Sequence, residues 1–296
     1  MLRAISLCFM TMAAPVFAET TTIETYAGPM DVSVLPDRIA VFDIAALDTL
    51  DALGVAVHGV VSPLYVDYVQ HSVQNADNVG TLFEPDFEAI ATGNYDLLIA
   101  GGRSSRVALD LTKIAPTIDM TIWEDTVGQG LDRLDAYGDV FGKQAEAAAL
   151  RSAFQDALDT AKQAMSDEGN ALIVMTNGPT ISAYGANGRF GWLHTAMDIP
   201  EAVAAVEQAT HGEAISFEFI LDANPDVLIV IDRAAAIGQD GVTAAVTLDN
   251  ELVRQTTAWA NGNVIYLNSA NVYISGGGIQ SMTQIVSQFA ATFSDG

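Results

Sequence analysis

The chain has 296 residues, 50% of them hydrophobic, enough for one large or two medium globular domains. Thirty-seven acidic residues against twelve basic ones leave a formal charge of −25. That balance excludes phosphate-backbone binding, which needs a basic face to release counterions, and docking on an anionic membrane surface.

Residues 1–18 differ in kind from the rest. Arg3 supplies a positive start, Ala4 to Val16 an apolar core, and Val16-Phe17-Ala18 a small-residue cleavage pattern before Glu19. The pattern predicts a secretory signal peptide, the apolar run being short for a membrane span. Cys8 is the single cysteine, and Leu7 before it does not suit a lipoprotein signal, so Cys8 is expected to leave with the leader. The mature chain then has no thiol, which excludes disulfides, thiolate zinc sites and cysteine nucleophiles. Losing the one positive charge of Arg3 takes −25 to −26. No later apolar run would cross a bilayer, so a soluble exported protein, placed in the periplasm, is expected.

Strand and helix signals then alternate. Ile39 to Phe42 is a short apolar strand, followed by a helical pattern through Ala46, Leu47, Leu50 and Leu53 and a stop at Gly54. Further strands are predicted at 57–61, 95–100, 171–175, 227–231 and 264–267. Buried β-rich runs alternating with helices imply α/β architecture with parallel sheets covered on both faces. Between the halves, residues 142–167 lack proline and internal glycine and keep helical spacing through Ala149, Leu150, Ala153, Phe154, Ala157, Leu158, Ala161 and Met165. The layout therefore divides into a leader (1–18), an N-terminal lobe (19–141), a connecting helix (142–168) and a C-terminal lobe (169–296). A helix packed inside one domain is the plainer alternative for the middle segment.

An internal repeat supports the two-lobed layout. Residues 87–103 and 217–233 align without a gap at an offset of 130, and eight of the seventeen positions are identical. Each copy reads as a short helix, a turn, a buried strand and an arginine just past the strand, the pattern of a duplicated unit. Shared Phe, Ile and Leu would follow from burial alone, whereas the shared Glu88/Glu218 and Arg103/Arg233 are not packing residues. Ligands of open parallel sheets sit beyond the carboxyl ends of the strands. Arg103 and Arg233 are expected there, facing one cleft, with Glu88 and Glu218 on the outer faces.

Enzymatic constellations are thin. The chain has no Gly-x-Ser-x-Gly elbow, no His-Glu-x-x-His and no phosphate loop, and Gly276-Gly277-Gly278 lacks dinucleotide spacing. His58 and His194 sit in apolar runs and read as structural, and His71 reads as exposed. His211 lies in a loop just before the second repeat. Arg189 stands in the glycine-punctuated segment Tyr184 to Gly191, where backbone can approach a bound group. Taken singly, each arginine equally suits an ion-paired surface position.

At this point the residues resemble a family, the periplasmic ferric-siderophore-binding proteins of ATP-binding-cassette (ABC) importers, in particular the catecholate-binding, ferric-enterobactin-type branch. The resemblance spans about residues 30–296. It is carried by Val41-Phe42-Asp43, Asp86 to Ile90, Gly102-Arg103-Ser104-Ser105, Ser182-Ala183-Tyr184-Gly185, Arg189-Phe190-Gly191, Thr210-His211-Gly212, Ser216 to Ile220, Val230 to Arg233 and Tyr273 to Gly276. It implies two α/β lobes joined by one long helix. It also implies a non-catalytic, monomeric receptor with no intrinsic cofactor, which carries a ferric siderophore to a membrane permease. By the same resemblance Arg103, Arg189 and Arg233 meet catecholate oxygens, His211 and Tyr273 ligate Fe(III), and Glu88 and Glu218 dock to the permease. The segment Asn271-Val272-Tyr273 departs from the family's aromatic-rich stretch, so the cleft wall is expected to be less aromatic, with Tyr65, Trp123 and Trp192 as possible neighbours. A receptor for a hydroxamate siderophore, haem or cobalamin is the alternative, and a secreted α/β hydrolase a more distant one.

Overall fold

The computed structural model of the chain describes residues 19–204, 206 and 212–293. The proposed leader and His211 lie outside the described residues. The chain opens with a hairpin, β1 (Thr20–Thr25) and β2 (Gly28–Ser33). Its alternating burial puts Ile23 and Thr25 inward, against the flank of helix Thr126–Phe141. There the buried guanidinium of Arg133 donates to the carbonyl of Glu24.

Five strands build the first sheet: β3 (Ile39–Val41), β4 (Gly59–Val60), β5 (Asp77–Asn78), β6 (Leu97–Ala100) and β7 (Thr117–Asp119). They lie in the order β5-β4-β3-β6-β7, every pair parallel. Five more build the second: β8 (Ala171–Asn177), β9 (Thr180–Tyr184), β10 (Glu213–Ile215), β11 (Val227–Asp232) and β12 (Val264–Tyr266), in the order β10-β9-β8-β11-β12. β8, β11 and β12 are parallel, but β9 runs antiparallel to its neighbours. The second sheet is therefore mixed rather than wholly parallel. The reason is the connection: Gly178 (φ 59°) and Pro179 alone join β8 to β9, and so short a link closes only an antiparallel pair.

Successive residues of the central strands serve opposite faces. Along β11, Val227, Ile229 and Ile231 enter the core shared with the first sheet, while Leu228 and Val230 enter a second core on the far face. Burial on both sides is what a run without polar alternation requires. The fold is α/β, with two sheet lobes and the helix Gln144–Met165 between them in chain order. At 1.5 Å per residue that helix is about 33 Å long. It buries Ala147, Phe154, Leu158, Ala161 and Met165 along one stripe. Gly142, in the left-handed region at φ 64°, ends the preceding helix Thr126–Phe141, so the connecting helix starts two residues later than its sequence signal.

The last helix, Ile279–Phe293, packs along Gln144–Met165 and returns to the first half of the chain. Its first turn is held by Asp48, fully buried on helix Ile44–Ala52. The carboxylate accepts from the amides of Gln280 (2.7 Å) and Ser281 (2.9 Å) and from the Ser281 hydroxyl (2.8 Å). The hydroxyl of Tyr68 donates to the same group. A residue of the first half thus caps a helix of the second, satisfying amides that have no partner within the helix. Burial pushes the Asp48 carboxyl up to about 6, although the Tyr68 and Ser281 hydroxyls and both amides pull it down.

Candidate functional site

The repeat deduced from sequence exists in three dimensions. Helices Phe87–Gly93 and Phe217–Ala223 are capped by the side chains of Asp86 and Ser216, and both end on an asparagine in the left-handed region, Asn94 (φ 50°) and Asn224 (φ 39°). Each leads to the fourth strand of its sheet, β6 or β11. Glu88 and Glu218 occupy the second position of their helices, both exposed, at the opposite end of the unit from the arginine. The Glu218 carboxyl is held below the usual range by its own backbone amide and the Ser216 hydroxyl.

Arg103 and Arg233 stand just past the carboxyl ends of β6 and β11. Gly102 makes the turn after β6, in the left-handed region at φ 52°, with its amide donating to the Thr121 hydroxyl at 2.9 Å. The turn delivers Arg103 to the other half of the molecule, where its Nη2 donates to the carbonyl oxygen of Tyr273 at 2.9 Å. Arg189, from the segment after β9, donates to the same oxygen at 2.8 Å. Arg233 donates through Nε to the Tyr273 hydroxyl at 3.2 Å and through Nη1 to Asn177 Oδ1 at 3.2 Å. All three guanidiniums also lie over the Tyr273 ring, with carbon-to-centroid distances of 5.3, 4.2 and 5.9 Å for Arg103, Arg189 and Arg233. One tyrosine is thus the meeting point of three cations from both halves.

The electrostatics follow from that crowding. Burial, and then the neighbouring Arg189, push the Arg103 guanidinium below its usual value. Burial alone would raise the Tyr273 phenol, but the hydrogen bond from Arg233 and the charge of Arg189 outweigh it and bring the phenol below 10.0. Burial raises Tyr184, behind it, to about 12 despite Arg189. Tyr184 stacks edge-on against Phe190 at 4.7 Å, and Phe190 lies 6.4 Å from Tyr273, which fixes the ring from behind.

A cavity of about 580 Å³ opens beside this cluster, lined by Arg103, Arg189 and Tyr273 together with Phe83, Trp123, Phe190 and Trp192. Its volume is that of a small-molecule site. Arg233 does not line it and joins through Tyr273. The wall is more aromatic than the segment before Tyr273 suggested, because Phe83 and Trp123 come from the first half of the chain. Tyr65 instead lines a second cavity of about 910 Å³. Although larger, that cavity has no arginine, lysine or histidine among its described lining residues, whereas the smaller one has Arg103 and Arg189.

The remaining histidines are structural or exposed. His194 is buried with Nδ1 3.1 Å from the Ile199 carbonyl, and burial lowers its pKa. His58 Nδ1 accepts from the Ile39 amide at 3.5 Å, and His71 is exposed beside Gln74. Among the described residues no three His, Cys, Asp or Glu side chains gather as a metal cage, and no helix is long and apolar enough to cross a membrane. Asp43 entered the sequence reading only within the Val41-Phe42-Asp43 motif and was given no place at the site. It caps helix Ile44–Ala52 through the Ala46 amide (2.8 Å) and lines the cavity. Burial raises its pKa, with the Ala46 amide and the charge of Arg103 opposing. Its position at the end of β3, directly before a helix, was the available signal.

The chain is similar to known proteins along most of its length. A family model described as periplasmic binding protein matches residues 39–270. The petrobactin-binding protein YclQ of Bacillus subtilis is 35% identical over 267 residues, covering 86% of this chain and 81% of that protein. The ferric-anguibactin-binding protein FatB of Vibrio anguillarum is 32% identical over 277 residues, covering 89% and 84%. The crystal structure of the periplasmic catecholate-siderophore binding protein VctP from Vibrio cholerae matches with a TM-score of 0.84 at 30% identity, covering 92% of this chain and 100% of that one.

Proposed function

The chain belongs to the periplasmic binding protein family, and from that premise we propose that its cleft captures a ferric siderophore bearing catecholate groups and delivers it to an ABC importer. The chain is a binding protein, as its relatives are, and not an enzyme. Export to the periplasm by the leader at 1–18, with no cofactor of its own, completes the reading. The observation that carries it is the convergence of Arg103, Arg189 and Arg233 on Tyr273 beside an aromatic cavity.

Two arginines that share one carbonyl acceptor are crowded cations, and an anionic complex relieves their repulsion. A guanidinium about 4 Å from an anionic oxygen gains roughly 4 kcal/mol at an effective dielectric near 20, before desolvation. The overall negative charge does not cancel this, because exposed charges beyond about 8 Å are largely screened at physiological salt. A bis-catecholate supplies four oxygens to an octahedral ferric ion and leaves two places. In this reading Tyr273 fills one as phenolate, for which its lowered pKa prepares it, and His211 fills the other. Glu88 and Glu218, exposed at matching places on the two repeats, would dock to cationic groups of the permease.

The test is a titration of the leader-free protein with a ferric bis-catecholate, following tryptophan fluorescence and the visible charge-transfer band together. Saturable quenching with a shifted band is the expected result. Quenching with an unchanged band would keep the arginine cleft and remove Tyr273 and His211 from the iron. No response at all would sink the catecholate reading.

A further inference from the structure

The cavity that holds Arg103 and Arg189 is also lined by Trp123 and Glu124, and neither is needed to bind an anion. A carboxylate in such a site opposes one. Asp43, the cavity's other acid, is engaged as a helix cap facing Arg103. Glu124 is exposed and forms no ion pair among the described residues. Trp123 beside it leaves 61% of its surface open, whereas Trp192 in the same cavity is buried.

The turn that carries this pair is anchored from behind. The amides of Trp123 and Glu124 both donate to Oε1 of Gln129, at 2.7 and 3.2 Å. The next residue, Asp125, caps helix Thr126–Phe141 by accepting from the Gly128 amide at 2.9 Å. Two side chains thus fix the backbone of residues 123–125 to one helix, while the indole and the carboxylate stay unused at the cavity. An exposed indole face next to an unpaired carboxylate is an arrangement that attracts an ammonium group through both the ring quadrupole and the charge.

We propose that Trp123 and Glu124 form a subsite for a protonated amine carried by the ligand outside its iron-binding groups. The cleft then reads two charges at once, anionic iron-binding oxygens at the arginines and a cationic arm at the Trp123–Glu124 turn. It selects amine-bearing siderophores over otherwise equal ones with a neutral linker. Gln129 is a positioning residue for this selection. The inference rests on the ferric-siderophore reading above.

The experiment uses two ferric bis-catecholates with the same triamine linker, one with its central nitrogen a free secondary amine and the other with that nitrogen acetylated. Calorimetric titration of the leader-free protein is expected to give about five- to tenfold tighter binding of the free-amine complex. Glu124→Gln should at least halve the ratio without weakening the acetylated complex, the Trp123 ring keeping the remainder, and Glu124→Lys should reverse the preference. Both substitutions are on an exposed side chain, and unchanged circular dichroism would confirm folding. Equal binding of the two complexes by the native protein, or a preference undiminished by Glu124→Gln, would overturn the subsite while leaving the ferric-catecholate reading intact. Binding of neither complex would overturn that reading and this inference with it.

Discussion

In the first repeat Arg103 donates to the backbone carbonyl of Tyr273, whereas in the second Arg233 donates to the phenol oxygen of the same residue. Two units with the same asparagine C-cap, the same strand position and the same arginine therefore address different atoms. The surroundings make the difference. In the first half a helix, Ile44–Ala52, follows β3, while in the second the hairpin β8–β9 takes that place in the chain. The helix supplies Asp43 to the cavity and Asp48 to the last helix, and the hairpin leads into the segment that supplies Arg189. The repeated unit thus sets the frame, and the differing connections place different side chains at the site.

The largest expected effect tests the helix that the second half lacks. Burial holds the Asp48 carboxyl at about 6 in the folded chain, against 3.8 for the free side chain, so it binds its proton more tightly in the folded state. Its contribution to stability is fully present below pH 3.8 and is lost as pH rises through about 6. The stability of the native protein minus that of Asp48→Asn should therefore fall by about 3 kcal/mol across this window. Urea denaturation at several pH values measures it, and a difference that does not change with pH would contradict it.

The next effect separates the two arginines. Arg103→Ala and Arg189→Ala each remove a charged donor at the cavity and should cost about 2 kcal/mol, or roughly thirtyfold, in affinity for a ferric bis-catecholate. Arg233→Ala should match them for a tetradentate complex, through loss of the Tyr273 orientation, and cost distinctly less for a hexadentate one. Equal losses on both ligands would show that Arg233 reaches the ligand directly. Tyr273→Phe should likewise spare hexadentate complexes, because it leaves the carbonyl that holds Arg103 and Arg189. Alkaline spectrophotometric titration gives the same comparison without ligand: the Tyr273 phenol should titrate below 10.0, and higher in Arg233→Ala.

The smallest effect concerns the turns. Asn94 and Asn224 share the left-handed conformation that glycine adopts without penalty. Asn224 Oδ1 also accepts from the amide and the hydroxyl of Thr257, at 2.8 and 3.2 Å, while Asn94 bonds only locally to the Thr92 carbonyl. Asn94→Gly should be nearly neutral and Asn224→Gly should cost about 1 kcal/mol, read from thermal or urea unfolding.

Much of this was legible before any coordinates. The central strands β3, β4, β6, β8, β11 and β12, the long helix, read from residue 142 and found from Gln144, and the repeat were readable, because a residue's neighbours within one helix or strand fix its periodicity and caps. The hairpin β1–β2 was not read, since its half-exposed threonine-rich alternation is weak beside the apolar runs. Strands β5, β7, β9 and β10 were not read either, being short and without a continuous apolar run, and with β9 went the mixed character of the second sheet, for which Gly178-Pro179 was the available sign.

From the residues alone come an α/β chain with a repeated helix-turn-strand unit, an arginine just past the buried strand of each copy and a glutamate on the outer face of each. Only the tertiary structure decided that Arg103 and Arg189 share one carbonyl, that Arg233 holds the phenol above it, and that Trp123 and Glu124 stand at the same cavity. Those contacts join residues 84 to 170 positions apart in the case of the two arginines on the Tyr273 carbonyl. Pattern along a chain records which face of an element is buried, and not which distant element will cover it.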